Sequence, residues 1–414
     1  MDGMETTFGG LARAALEAAG MSLREAARQI HYDPSYLSRV LAGRQSPSPG
    51  LARDLDALLA TGGRLAAAAK RAAPAPAPRS AVDDELAALE LVRRVSASDV
   101  GEATVAQLEG VVDDLAVAYP ATPPRQLLDR VSSYSGYVAQ LLDARATLVE
   151  QRRLLVVAGW LSLLAATLHI DLAQDAAATA RLQAAATLAR EAGHPEIVAW
   201  CRETEAWRLV TRGRYVEAAA LSQAAQLIAP AGSSALIQAA AQEGRARARL
   251  GQQRETRAVI DRVQALSDAA GVPERPDHHY RYDPTKARAY VATTLAWAGD
   301  PAAEGAAREV ITHLGDGPDP AGWSRRTASA HIDLARALVA ADILDEAAHA
   351  AQLAITSGRI VPSNQWRAAE IVDAIDERGV GQGAELREAF AALTAAPEAW
   401  GSDTAASVAV ISPP

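Results

Sequence analysis

Alanine fills nearly a quarter of this chain, 97 of 414 positions, against only 18 aromatic residues. Alanine is the strongest helix former, and its small side chain lets neighbouring helices cross closely. Sheets draw instead on β-branched and aromatic side chains, so an all-β fold is argued against and an all-α fold predicted. Hydrophobic residues at 49% and charged residues at 22% supply enough apolar surface for large cores, which excludes a wholly disordered chain. The length allows two to three domains. The basic side chains are almost all arginine, with Lys70 and Lys286 as the two lysines. Like the alanine, that bias partly reflects a GC-rich coding sequence.

The pattern divides the chain into five stretches. Residues 1–65 read as several short helices. Residues 66–81 read as a linker, because Pro74, Pro76 and Pro78 alternate with alanine and forbid a helix. Residues 82–150 are helical without an evident repeat, residues 151–400 are helical with one, and residues 401–414 read as a disordered tail. Through residue 80 there are ten basic and seven acidic side chains, a net +3, while the rest of the chain carries −12. A basic head on an acidic body puts any nucleic-acid contact at the head. The N-terminal decapeptide MDGMETTFGG is acidic and lacks an apolar core, so no secretory leader is expected there. The uncharged run from Leu154 to Ile170 falls just short of the ~18 residues of a membrane span. A buried central helix is expected, with no membrane partner. The single cysteine, Cys201, excludes an internal disulfide, fits a reducing cytoplasm, and sits in an apolar helical pattern that suggests a buried structural role.

Within the head, Gly20 to Gly43 reads GMSLREAARQIHYDPSYLSRVLAG. Ser22 is a natural N-cap, and Glu25 three residues on predicts a capping box. Asp33 caps a second helix, with Pro34 in its first turn where a missing N–H costs nothing. Leu37, Val40 and Leu41 fall on its inner face, leaving Ser35, Tyr36, Ser38 and Arg39 outside. Two short helices with a polar, arginine-bearing outer face suit a reader of the major groove. Arg39 can donate two hydrogen bonds to a guanine edge, and Ser22 with the helix-start N–H groups can hold phosphates.

These residues resemble the helix-turn-helix of the Xre/Cro/phage-repressor family, through Ala27, the run Leu37-Ser38-Arg39-Val40, and Gly43. The continuation Arg44-Gln45-Ser46-Pro47-Ser48 before LARDLDALLATGGRL resembles the actinobacterial branch. The resemblance implies a lambda-repressor-like domain, with Pro34, Ser35 and Arg39 at base-contact positions and Arg44 at a phosphate. Leu23 departs from the family's frequent Gln, and Pro34 cannot donate to a base. Readout then falls to Arg39, Ser35, Tyr36 and DNA shape.

The body shows self-similarity at intervals of 38, 48 and 43 residues between turns at Gly213, Gly251, Gly299 and Asp342. The unit Ala199–Pro230 resembles the tetratricopeptide repeat (TPR) at its turn glycine, Tyr215, Ala218, Ala225 and closing Pro230. An earlier unit is expected to turn near Gln174. The 48-residue interval contains an inserted stretch, GVPERPDHHYRYDP, expected at the surface, where it would cover the groove. The resemblance implies an α-solenoid of TPR-like helix pairs, a right-handed superhelix whose first helices line a concave groove. By that correspondence the groove residues are Trp200, Glu203, Trp207 and Val210, then Gln238, Arg245 and Arg249, then Thr293 and Trp297, and finally Arg336. Aromatic walls with several arginines suit a peptide or an anionic small molecule.

Asp277-His278-His279-Tyr280 lacks a further Cys or His cluster and is not expected to bind metal. No phosphate loop or nucleophile–base–acid set is apparent, so neither a cofactor nor catalysis is expected. Head, linker and repeats together resemble actinobacterial helix-turn-helix/TPR regulators. That implies a cytoplasmic homodimer binding double-stranded operator DNA under a peptide or small-molecule effector. The alternative is a TPR interaction scaffold with a non-functional or auxiliary head.

Overall fold

The computed structural model describes residues 7–72, 91, 96–275, 277–315, 324–379, 381 and 383–395. They form two compact units, residues 1–95 and 96–414, and no strand occurs among the described residues. The proline-alternating stretch Pro74–Pro78 and the expected tail 401–414 lie outside the described residues.

The first unit contains α1 (Phe8–Ala18), α2 (Leu23–Gln29), α3 (Pro34–Leu41), α4 (Pro49–Leu58) and α5 (Arg64–Ala72). Its core is made by Phe8, Leu16, Leu37, Leu41, Leu51 and Leu55, with Ala26 and Ala27 of α2. The expected linker start at residue 66 is corrected, because α5 continues through Ala72. Leu65 is fully buried and Ala68 and Ala69 nearly so, in the same core. The cause is Asp56 on α4. Its carboxylate accepts from the Leu65 and Ala66 N–H groups at 3.0 and 2.7 Å and from the Thr61 hydroxyl, capping α5 from outside. Burial pushes the Asp56 carboxyl up, but these donors outweigh it and hold the group below its ordinary range.

The second unit opens with α6 (Glu102–Ala118) and α7 (Pro124–Asp143), both packed on α8 (Leu148–Asp171). Helix α8 starts with a capping box between Thr147 and Glu150. It is long and apolar enough to cross a membrane, yet 72% of that window is buried inside the unit, as expected of a core helix. Helix pairs follow: α8 with α9 (Asp175–Glu191), α10 (Pro195–Thr211) with α11 (Tyr215–Ile228), and α12 (Ser234–Arg249) with α13 (Gln253–Ala270). Then come α14 (Pro284–Ala298) with α15 (Ala303–Leu314), α16 (Arg325–Ala340) with α17 (Leu344–Thr356), and α18 (Gln365–Glu377) with α19 (Gly383–Ala395). The first helices of successive pairs touch in order, from α8 to α18. Fully buried alanines sit at the crossings, among them Ala185, Ala218, Ala225, Ala292 and Ala351. The turn inside each of the first five pairs has a left-handed residue: Ala173, Gly213, Gly251, Gly299 and Asp342. Cys201 is buried, and burial pushes its thiol up to about 12, which leaves it a poor nucleophile.

One feature differs from the sequence expectation. The inserted stretch is not a surface loop beyond its first residues. His278, Tyr280, Tyr282 and Asp283 are all at most 4% exposed, and Tyr280 joins the largest core against Trp160 and Trp200. Its tyrosine rings supply large apolar surface that is stabilised by burial there. The array also closes on itself. Arg325 at the start of α16 donates to Asp171 at the end of α8 at 2.6 Å, and the short 3-10 turn Pro362–Asn364 packs on α8. The concave wall of the first helices thus borders a partly covered cavity.

Candidate DNA-reading face and ligand cavity

In the head, the Ser22 hydroxyl accepts from the Glu25 N–H at 3.2 Å and caps α2. The Glu25 side chain does not complete the expected box. It accepts instead from Arg28 at 2.9 Å. Asp33 accepts from the Tyr36 N–H at 2.8 Å and starts α3, with Pro34 in its first turn. Leu37, Val40 and Leu41 are buried, while Pro34, Ser35, Ser38 and Arg39 are exposed. Tyr36 is half-buried and stacks on Tyr32 with ring centroids 6.0 Å apart, so its ring is held against the head. Gly43 closes α3 with φ +71°, and the Arg44 N–H returns to the Arg39 carbonyl at 2.9 Å. That closure places the exposed Arg44 side chain just past the helix end. The Arg39 Nε donates to Gln45 Oε1 at 3.3 Å. Gln45 thus orients the arginine, a role that its place in a loop did not reveal.

In the body, the first helices of the pairs and the inserted stretch border a partly open cavity of about 200 Å³. Trp200, Glu203, Trp207, Gln238 and Arg245 line it, as does Thr293. Arg249, Trp297 and Arg336 do not. Glu370 on α18 accepts from Arg249 at 2.5 and 3.0 Å and from Arg336 at 2.6 Å. Trp297 packs on Trp366 beside them, and Val210 lies in the same small core.

The cavity also gathers residues that repeat spacing did not single out. Lys286 is 4% exposed and donates to the His279 carbonyl at 2.6 Å. Burial pushes its ammonium down to about 7, helped by Arg326 and resisted by Glu203 and Asp283. Its rarity was the available signal, as one lysine in a body otherwise using arginine. His279 stacks on Tyr119 with centroids 4.1 Å apart, and burial holds it neutral, well below its usual range. Buried pairs ring the walls: Arg325 with Asp171 at 2.6 Å, Arg367 with Asp333 at 2.5 Å, and Arg326 with Asp283 at 3.5 Å. Gln238 donates to Glu203 at 2.8 Å and to the Tyr290 hydroxyl at 2.6 Å. Burial pushes the Glu203 carboxyl up against the pull of Gln238, Lys286 and Arg245. No group of three or more metal-ligating side chains occurs among the described residues.

No curated protein matches the chain. Residues 7–69 match a family model described as a helix-turn-helix domain, a span that ends within α5 and so takes in all five helices of the first unit. The chain thus carries an N-terminal helix-turn-helix domain, the module of a DNA-binding regulator, ahead of an all-helical body.

Proposed function

We propose that this chain is a cytoplasmic, actinobacterial transcriptional regulator of the Xre type. Its head binds operator DNA sequence-specifically, and its TPR-like body dimerises and senses a peptide or small molecule. It acts by binding, without catalysis. The observation that carries the reading is the outer face of α3. Ser35, Ser38 and Arg39 stand exposed on a helix whose other face is fully buried, inside a matched helix-turn-helix domain. Arginine on such a face supplies the bidentate contact that guanine recognition uses. Dimerisation is proposed because one small head makes few base contacts, whereas two tethered heads gain by effective concentration.

The test is a mobility-shift titration of the full chain against DNA from around its own gene. Arg39→Ala is expected to weaken specific binding by about 10- to 100-fold, one bidentate base contact per half-site. Arg44→Ala is expected to weaken all sequences alike and to flatten the salt dependence. Binding unchanged by Arg39→Ala would remove the assigned face. A protein with no salt-dependent DNA binding would instead be a scaffold with an auxiliary head. Light scattering of the full chain is expected to give a dimer, and a strict monomer would remove the paired-head arrangement.

A further inference from the structure

The cavity of the body gathers basic side chains from several helix pairs. Its walls bring together Lys286, Arg245, Arg325, Arg326, Arg359 and Arg367. Against these six stand four buried carboxylates: Asp171, Glu203, Asp333 and, behind Arg326, Asp283. Three of the carboxylates each hold one arginine in a close pair. The fourth, Glu203, is bonded to Gln238.

Arg245 is the clearest case. It is 7% exposed, and its guanidinium lies 3.7 Å from the centre of the Tyr290 ring and 5.0 Å from that of Trp207. It makes no ion pair within 4 Å, and its Nε has no hydrogen-bond partner. The buried carboxylates Glu203 and Asp333 answer its charge at longer range, which leaves the buried Nε as an unused donor. Stacking on tyrosine fixes its plane and leaves the donor edge free for a planar anion. The buried Trp200 indole N–H and Gln238 Oε1, two neighbours in the same wall, also lack partners. These are the polar groups of a site awaiting a ligand rather than of a finished core.

We propose that the cavity binds a compact organic anion, a carboxylate or phosphate ester with a flat apolar portion, held by Arg245 and Lys286 against the wall that carries Trp207. This deepens the sensing role proposed above by choosing the small anion over the extended peptide. A peptide in an open groove has its main chain met by side-chain amides along several repeats. Here the Arg325–Asp171 pair bridges α16 and α8, and the lining is basic and aromatic, with Gln238 and Asn364 as its amides. A cavity of this size suits a small molecule.

Isothermal calorimetry on the full chain tests the proposal with five probes: 1-naphthoate, 1-naphthyl phosphate, the neutral 1-naphthamide, inorganic phosphate and a short acidic peptide. The two organic anions are expected to bind saturably, at least about tenfold tighter than the amide, since a charge-assisted contact is at stake. Arg245→Met keeps the volume and the packing on Tyr290 and is expected to lose about tenfold or more for the anions, with unchanged circular dichroism. Lys286→Met provides a second, independent loss. The proposal is overturned if neither organic anion binds at ~5 mM, if the amide binds as well as the anions, or if inorganic phosphate or the peptide binds better. The comparison of anion with amide uses the unaltered protein, so it stands even where a variant misfolds. Operator binding by ligand-free protein is measured separately. Its absence would overturn the regulator reading and leave the cavity's ligand class intact.

Discussion

His278 shows how one residue carries a consequence for the whole chain's stability. It is 4% exposed, with Nδ1 accepting from the Tyr280 N–H at 3.1 Å and Nε2 facing Asp113 at 3.1 Å. Burial dominates and lowers its titration from the ordinary 6.5 to about 4. Asp113 pulls the other way, but it is half exposed and screened by solvent, while Arg281 and Lys286 add to the lowering. Between about 4 and 6.5 the unfolded chain binds a proton at this position that the folded chain does not. Stability present above pH 6.5 is therefore lost as the pH falls through that window. His279 and His194 are shifted in the same direction, also chiefly by burial. His278→Gln is expected to reduce the acid slope of the urea midpoint by about one proton, or about 1.4 kcal/mol per pH unit, without abolishing it. An equal slope in variant and parent would show that His278 titrates normally. The histidine pair was visible in the sequence, but its burial was not. Periodicity assigns faces to helices and says nothing of a connecting stretch whose two tyrosines complete someone else's core.

At the scale of elements, the head depends on one close crossing. A Cβ built on Gly9 of α1 would lie 2.2 Å from the Leu41 carbonyl oxygen of α3, and that obstacle is backbone. Gly9→Ala must therefore push α1 off the recognition helix. It is expected to cost about 1–3 kcal/mol of head stability, the range for overpacking, despite alanine's better helix propensity. Hydrogen exchange of the α1 and α3 amides checks it, and full protection in the variant would refute the crossing's importance. The caps of α2 and α3 and the buried triad Leu37, Val40 and Leu41 were legible because each is a local rule of three or four residues. The extent of α5 was not, because its cap comes from Asp56, nine and ten residues before the N–H groups it holds. The groove shows the same division. Trp200, Glu203 and Trp207 share one helical face, so the repeat pattern reached them. Lys286, Arg325 and Arg367 arrive on α14, α16 and α18, at positions that the repeat spacing did not single out.

That closure is the feature of the body that no local pattern encodes. Asp171 and Arg325 are 154 residues apart, and their pair sits between the first and fifth helix pairs with the Tyr119 hydroxyl, 2.8 Å from Asp171, as third member. An open repeat array has only nearest-neighbour interfaces and can lose its ends one at a time. A closed one ties its ends together, so loss of either end exposes both. Asp171→Ala would leave the Arg325 guanidinium, 12% exposed, without its carboxylate. Breaking a buried pair from one side costs about 3–5 kcal/mol, here placed at the joint. Scanning calorimetry of the full chain is expected to show the body's transition broaden or divide, with the C-terminal pairs melting first. Replacing both partners with Asp171→Leu and Arg325→Met should recover much of the stability, because no charge is then left at the joint without its carboxylate. A single sharp transition in Asp171→Ala, lowered no more than that of a surface variant, would mean that the ends are held without this pair. The cavity's enclosure would then depend on the packing of Pro362–Asn364 against α8.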